Sequence, residues 1–364
     1  MSLQQKIYDG LRLMRMTFLL SGLLLVACSS GNAITLRTKD TPLNQLSEVE
    51  AKLAFTCVHE KIPAPSSEAD VLFKYARWLQ KNNQIKQDKT TDLEIERLYR
   101  VAAENRHYKA NVNLQNGSIR GQFNLSGDEY RRLSQQLIDE NVATGYYLVA
   151  VFLENGSAGL QKDPDTSLRY FRKAADEGSA QAQGYVADKF EAANTALDIA
   201  RQMRSCAAEQ GNGEAARALG VDLKLSKDYQ AALEALQLGV AAGDEFSAAS
   251  LSKSFSGPKP ENRMYYLEQQ EDQERTDRYK KISKLLGVWS YANPKVPEIN
   301  EIVPLPPAKL PAWDGKLKWV EEREANIPPP KPSEALIEQL AKAMVLDPKT
   351  GKPLPGSPVY SKED

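Results

Sequence analysis

From residue 67 to 255, apolar side chains recur at three- and four-residue spacing between short polar breaks. That is the period of amphipathic helices with one face turned to a core. In one stretch Ala143, Tyr147, Ala150 and Val151 mark the inner face of a helix, and Asn155 with Gly156 end it. Asp163 is then a natural N-cap, with Pro164 at the first helical position, and Leu168, Phe171 and Ala175 form the matching face of a second helix. Gly178 can adopt the left-handed conformation that stops this helix, while the small Ala174 and Ala175 let neighbouring helices approach. A lone helical hairpin cannot bury its apolar stripe, so such units are expected to stack.

The same ending recurs. Ala174-Ala175 with Gly178 and Ala182 is repeated as Ala207-Ala208 with Gly211 and Ala215, and more weakly around Gly239 to Gly243, around Ala102-Ala103, and in a degenerate copy ending at Ala143. Units beginning at 102, 135, 174, 207 and 239 give steps of 33, 39, 33 and 32, the period of stacked helix-turn-helix repeats. Tyr170-Phe171-Arg172-Lys173-Ala174-Ala175 followed by Gly178 resembles the Sel1-like repeat, a tetratricopeptide-related family with a Lys-Ala-Ala-x-x-Gly ending. Arg106 and Asp139 stand where that glycine is expected, and Cys206 stands at the usual lysine. The resemblance implies an all-α superhelical stack over 67–255, with a groove that binds partners rather than performing chemistry.

After Phe255 the composition shifts. Glu261 to Leu286 reads as one long charged helix within 256–290, with Met264, Leu267, Ile282, Leu285 and Leu286 facing inward and its charges in solvent. Of the 20 prolines in the chain, 14 fall between Pro294 and Pro358. Proline-rich segments are often linkers, but Ile299, Ile302, Val303, Leu305 and Leu310 make 291–364 an ordered strap, expected in the repeat groove or across its end. Asp314-Gly315 suits a turn leading to a short strand through Leu317 and Trp319. A last helix is expected from Ser333, as N-cap, to Met344, and Gly351 to Asp364 as a loose tail.

At the amino terminus the apolar run Met16 to Ala27 follows Arg12 and Arg15. It is too short to cross a bilayer, which needs about 20 residues, and has the form of an export signal over 1–27. Leu25-Val26-Ala27-Cys28 resembles the bacterial lipobox, which implies cleavage before Cys28, its lipidation, and attachment to the outer membrane facing the periplasm; an ordinary signal with an incidental Cys28 is the alternative. Residues 28–66 then form a tether and lead-in. Cys57 and Cys206 remain. In an oxidising compartment they can pair, or they can sit apart as half-buried thiols.

Lys plus Arg number 47 against 48 Asp plus Glu, a formal charge of -1, which leaves no excess with which to neutralise nucleic-acid phosphates. The chain has 2 histidines, His59 and His107, and no phosphate loop, dinucleotide fingerprint or metal-spaced cluster. Neither cofactor nor metal is expected. Cys57 and His59 could be drawn as a thiol-imidazole pair, but without an orienting third group a structural role is favoured; His107 lies where one helix gives way to the next, so helix capping or plain solvation is expected of it. The strap sequence Val303 to Gly315 after Sel1-like hairpins, on a lipoprotein, resembles immunity proteins of type VI secretion phospholipase effectors, in particular phospholipase D-like ones. That resemblance implies a non-enzymatic protein that covers a toxin's active site. Trp313, Asp314 and Trp319 are candidate anchors, since exposed tryptophan is favoured at binding centres; packing against the last repeat is the equal alternative. A scaffold for envelope assembly is the alternative.

Overall fold

A computed structural model describes residues 53–360. Among these residues there are 15 α-helices and, apart from an isolated antiparallel bridge between Leu346 and Pro353, no β structure. Twelve of the helices form six antiparallel hairpins: α1 (Ser67–Asn83) with α2 (Lys89–Glu104), α3 (Tyr108–Ile119) with α4 (Gly127–Asp139), α5 (Thr144–Asn155) with α6 (Pro164–Asp176), α7 (Ala180–Ala192) with α8 (Leu197–Glu209), α9 (Gly213–Leu225) with α10 (Tyr229–Ala241), and α11 (Glu245–Ser254) with α12 (Gln273–Val288). Each hairpin packs on the next, which is the all-α stack expected from the sequence.

One backbone device joins successive hairpins. At each junction a residue with positive φ follows the helix end: Arg106 (+62°), Asn141 (+57°), Gly178 (+106°), Gly211 (+83°) and Gly243 (+86°). The next N–H then donates back to a carbonyl five residues earlier, His107 to Ala102, Val142 to Leu137, Ser179 to Ala174, Asn212 to Ala207 and Asp244 to Gly239, at 2.8–3.0 Å. These bonds are Schellman closures of the last turn. At four junctions the residue after the turn caps the following helix: the side chains of His107, Ser179, Asn212 and Asp244 accept from the N–H three residues on. The second unit therefore begins at Leu137 rather than 135, and Asn141, not Asp139, occupies the glycine position; asparagine tolerates that conformation better than most residues. Within α5 and α6, Gly156 (+67°) ends the first helix and the Asp163 carboxylate caps the second above Pro164, as expected, but Leu168 is 47% exposed and does not join Phe171 and Ala175 inside.

The expected long helix over Glu261–Leu286 is not formed. Residues 256–272 run as turns and irregular chain, and the Asp272 side chain caps α12 by accepting from the Arg275 N–H at 2.9 Å. Pro258 and Pro260 break the approach, and Glu268 takes a positive φ of +56°. Met264 is 67% exposed, whereas Leu267, Ile282 and Leu286 are buried. Because α12 folds back on α11, this segment completes a sixth hairpin rather than standing beyond the repeats.

The proline-rich chain then returns from the last hairpin to the first. Val296, Ile299, Ile302, Val303 and Leu317, including the short α13 (Ile299–Ile302), enter a core with Leu233, Leu236, Tyr279, Ile282 and Leu286. The expected strand at Leu317 and Trp319 is instead the start of α14 (Lys318–Ala325). α14 reaches α1: Arg323 Nη2 donates to the Lys81 carbonyl at 2.6 Å, and Asn82 Nδ2 to Asn326 Oδ1 at 3.0 Å. Ser333 caps α15 (Glu334–Ala343), as expected, and Ile337, Leu340, Ala341 and Leu346 complete the core of the first hairpin with Leu72, Ile95, Leu98 and Tyr99. The segment after Gly351 is not loose over its described part: Gly351 is buried against the α2 backbone at Arg97, and Ser357 Oγ donates to the Met344 carbonyl at 2.6 Å. The first and last hairpins are thus clasped by one chain, and the Tyr291 carbonyl after α12 accepts directly from Gln84 Nε2 after α1, at 3.5 Å.

Candidate partner-binding surface

The strap's order has a specific chemical source. Proline lacks an N–H, so a chain rich in it presents carbonyls without a ladder of donors to answer them. Two arginines of α12 supply those donors. Arg278 donates to the Ile302 and Pro311 carbonyls at 2.7 Å each, and Arg275 to the Pro304 carbonyl at 3.2 Å and to that of Ala308. Both guanidiniums are buried, paired with Glu274 and Asp272 respectively. Burial alone would raise the Asp272 carboxyl, but the Arg275 N–H and guanidinium beside it hold it below its ordinary value. Gln237 Nε2 completes the set by donating to the Val303 carbonyl at 2.8 Å, and the Tyr279 hydroxyl fixes that carboxamide by donating to Gln237 Oε1 at 2.7 Å. The charges of α12 that read as a solvated face are, at these two positions, the clamp that fixes the strap.

The three candidate anchors do not form one constellation. Trp313 is half-buried, its indole N–H donates to the Lys316 carbonyl at 2.7 Å, and the Arg278 and Lys281 cations sit 5.9 and 5.6 Å from its ring. Asp314 is exposed, accepts from the Lys316 N–H at 3.0 Å, and precedes Gly315 at +84°. Trp313, Asp314 and Gly315 line an open cleft of about 520 Å³ with Glu274, Asp277 and Lys281 of α12. Trp319 lies apart, edge-on to Trp289 at 5.9 Å, and Trp289 in turn neighbours the exposed Tyr291. The aromatic pair Trp289 and Tyr291 was missed from sequence, as were Arg275 and Arg278; the readable signal for the arginines was their spacing of three on one helix ahead of a segment poor in donors.

Of the remaining candidates, Cys28 lies outside the described residues. Cys57 and Cys206 are joined in a disulfide with Cα atoms 5.5 Å apart, so neither is a thiol and the Cys57-His59 pair has no nucleophile. His59 instead lies 3.3 Å from Glu209. The lead-in around the bridge lies along the junction turns: Arg172 donates to the Leu53 and Ala54 carbonyls, Gln183 Nε2 to that of Val58, and Glu60 Oε1 accepts from the Thr144 N–H. Gly178 is needed twice over, because a Cβ there would also strike the backbone of His59 and Glu60. Of the two roles expected of it, His107 takes the cap and is not solvated: Nδ1 accepts from the Ala110 N–H at 3.1 Å, the ring stacks on Phe73, and burial pulls its pKa below the ordinary histidine value despite Asp70 at 3.3 Å.

Residues 247–354 match a family described only as a domain of unknown function, DUF6396. The sequence finds no significant match among curated proteins. Among solved structures, the chain is similar to immunity protein PA5088 from Pseudomonas aeruginosa, at 25% identity and a TM-score of 0.54 over 70% of this chain and 94% of that one. It is similar also to Pseudomonas aeruginosa 5086, at 27% identity and 0.52 over 70% and 95%. Immunity protein Pa5087 of the same organism shares the fold at 24% identity and 0.51, again over 70% and 95%. The resemblance to immunity proteins drawn from the strap and the repeats thus recurs in the fold over 70% of this chain.

Proposed function

We propose that this protein is an envelope-facing immunity protein that binds a phospholipase effector of a type VI secretion system and covers its active site without turnover of its own. The likeness to PA5088, which extends over 94% of that immunity protein, is the observation that carries the reading. A closed stack of hairpins with a fixed strap is a rigid surface, and rigidity lowers the entropy lost on binding. Protection against a secreted toxin requires slow release, hence an interface of standard size with buried anchors. Trp313 with Asp314, and Trp319 beside Trp289, are exposed enough to serve, and tryptophan is favoured at such centres. Lipidation at Cys28 would hold the protein at the periplasmic face of a membrane, concentrating it where a phospholipase attacks.

The test is protection of cells expressing a phospholipase effector directed to the periplasm, with the native protein, with Cys28→Ala and with no immunity protein. Survival is expected with the native form only, or best with it, and Cys28→Ala should leave the membrane fraction. Equal killing with and without the native protein would remove the immunity reading, while an unchanged membrane fraction for Cys28→Ala would remove the anchor alone.

A further inference from the structure

Where the first and last hairpins meet, the stack leaves a half-open pocket of about 570 Å³ whose chemistry differs from that of the buried ion pairs. Buried arginines elsewhere are answered by carboxylates: Arg100 by Glu96 and Glu129, Arg204 by Asp188 and Glu191, Arg275 by Asp272, Arg278 by Glu274. The half-buried Arg77 of α1 and the exposed Arg120 at the end of α3 both line this pocket, and among the described residues neither has an ion-pair partner. The one carboxylate in the lining, Asp92, is already engaged by Lys89 at 3.5 Å and by Asn83 Nδ2 and Gln122 Nε2 at 2.8 Å each.

Arg77 is placed by a buried network. Arg77 Nη1 donates to Gln80 Oε1 at 2.9 Å; the same oxygen accepts from the Tyr99 hydroxyl at 2.9 Å, and Gln80 Nε2 donates to Gln122 Oε1 at 2.9 Å. Gln80 is 4% and Tyr99 0% exposed, and burial raises the Tyr99 hydroxyl to about 12, so it stays a neutral donor. Partial desolvation, and then the like charge of Arg77, lower the Arg120 pKa. Beside them Asn113, Asn116 and Gln84 offer carboxamides, and Gln84 Oε1 is buried with no donor.

We propose that this pocket receives an acidic peptide segment of a protein partner, its carboxylates on Arg77 and Arg120 and its backbone N–H groups on the carboxamides. A bare phosphate would use the guanidiniums and leave the carboxamide lining unanswered, whereas an extended peptide offers both donors and acceptors. The assignment rests on the reading that the chain binds a protein, and it names where one contact is made.

Fluorescence anisotropy of the full chain with a labelled Gly-Glu-Glu-Glu-Gly peptide tests it, the Gln peptide serving as control. Binding is expected to weaken at least tenfold with the Gln peptide and with R77Q/R120Q, and to fall as salt rises, while R169Q, an exposed change on α6, leaves it unchanged. Equal binding by R77Q/R120Q, or stabilisation by inorganic phosphate or anionic vesicles with no peptide binding, overturns the proposal. Should the double variant not fold, hydrogen exchange on the native protein decides: the peptide must slow exchange at 77–84 and 113–122, and unchanged rates there overturn it. A double variant that still neutralises a toxin at full strength overturns this site and leaves the immunity reading standing. Peptide binding without any toxin neutralisation does the reverse.

Discussion

The repeat stack and the strap solve the same problem by opposite means. In the hairpins the backbone is answered locally: every junction is closed by a turn, and four of the five also by a cap lying within about eight residues of it, such as Ala174 to Ala182. The strap has few local bonds, and its carbonyls are answered by side chains of Arg275, Arg278 and Gln237 that are distant in sequence. The difference teaches that a quasi-one-dimensional stack, in which each unit contacts only its neighbours, has here been given long-range closure by a segment that is not a repeat.

Removing that closure is the largest perturbation. Truncation after Asn326 takes away Ile337, Leu340 and Leu346, each worth roughly 1.5–3 kcal/mol of burial, so the first hairpin should lose at least about 4 kcal/mol. Hydrogen exchange should rise in α1 and α2 while α7 to α10 stay protected; uniform loss across the stack would mean that the hairpins do not behave as separable neighbours.

Two junction glycines separate local from long-range demands. Gly211 and Gly243 have nearly the same φ, but a Cβ at Gly211 meets nothing within 4 Å, whereas one at Gly243 would run into the Pro294 carbonyl. Gly211→Ala should cost about 1 kcal/mol, the price of the left-handed conformation, and Gly243→Ala roughly 1–3 kcal/mol more through the forced shift of the strap. Equal denaturation midpoints would show that the strap yields freely.

The smallest effect is in pH. His107 has a folded pKa below its ordinary value, so it favours the neutral ring and its contribution is fully present above the unfolded value of about 6.5. Stability should therefore fall as pH drops from 7 through the folded pKa, and His107→Asn, which keeps a cap, should flatten that dependence. An unchanged pH profile would remove His107 as its source.

The sequence disclosed what is local. Asp163-Pro164, Gly178 and Ser333 act in the structure as their chemistry demands, because caps and left-handed turns depend on a few adjacent residues. The second unit was displaced by two residues because Asn141 does the work of glycine without looking like it. Long-range docking was not legible: α12 looked like a solvated charged helix since nothing near it in sequence shows that Arg275 and Arg278 face a proline-rich strap. For the same reason Trp313 and Trp319 could be chosen as candidates, but not assigned to their separate settings, beside Arg278 of α12 and beside Trp289 after it, and the lone arginines of the seam pocket showed no motif at all.

The most direct test of the central claim is titration of the purified protein into a type VI secretion phospholipase effector while lipid hydrolysis is followed. The account predicts that hydrolysis falls to zero near one equivalent, with a stable complex recovered by size exclusion and no hydrolysis by the protein alone. Full hydrolysis in the presence of excess protein, with no complex recovered, would contradict it.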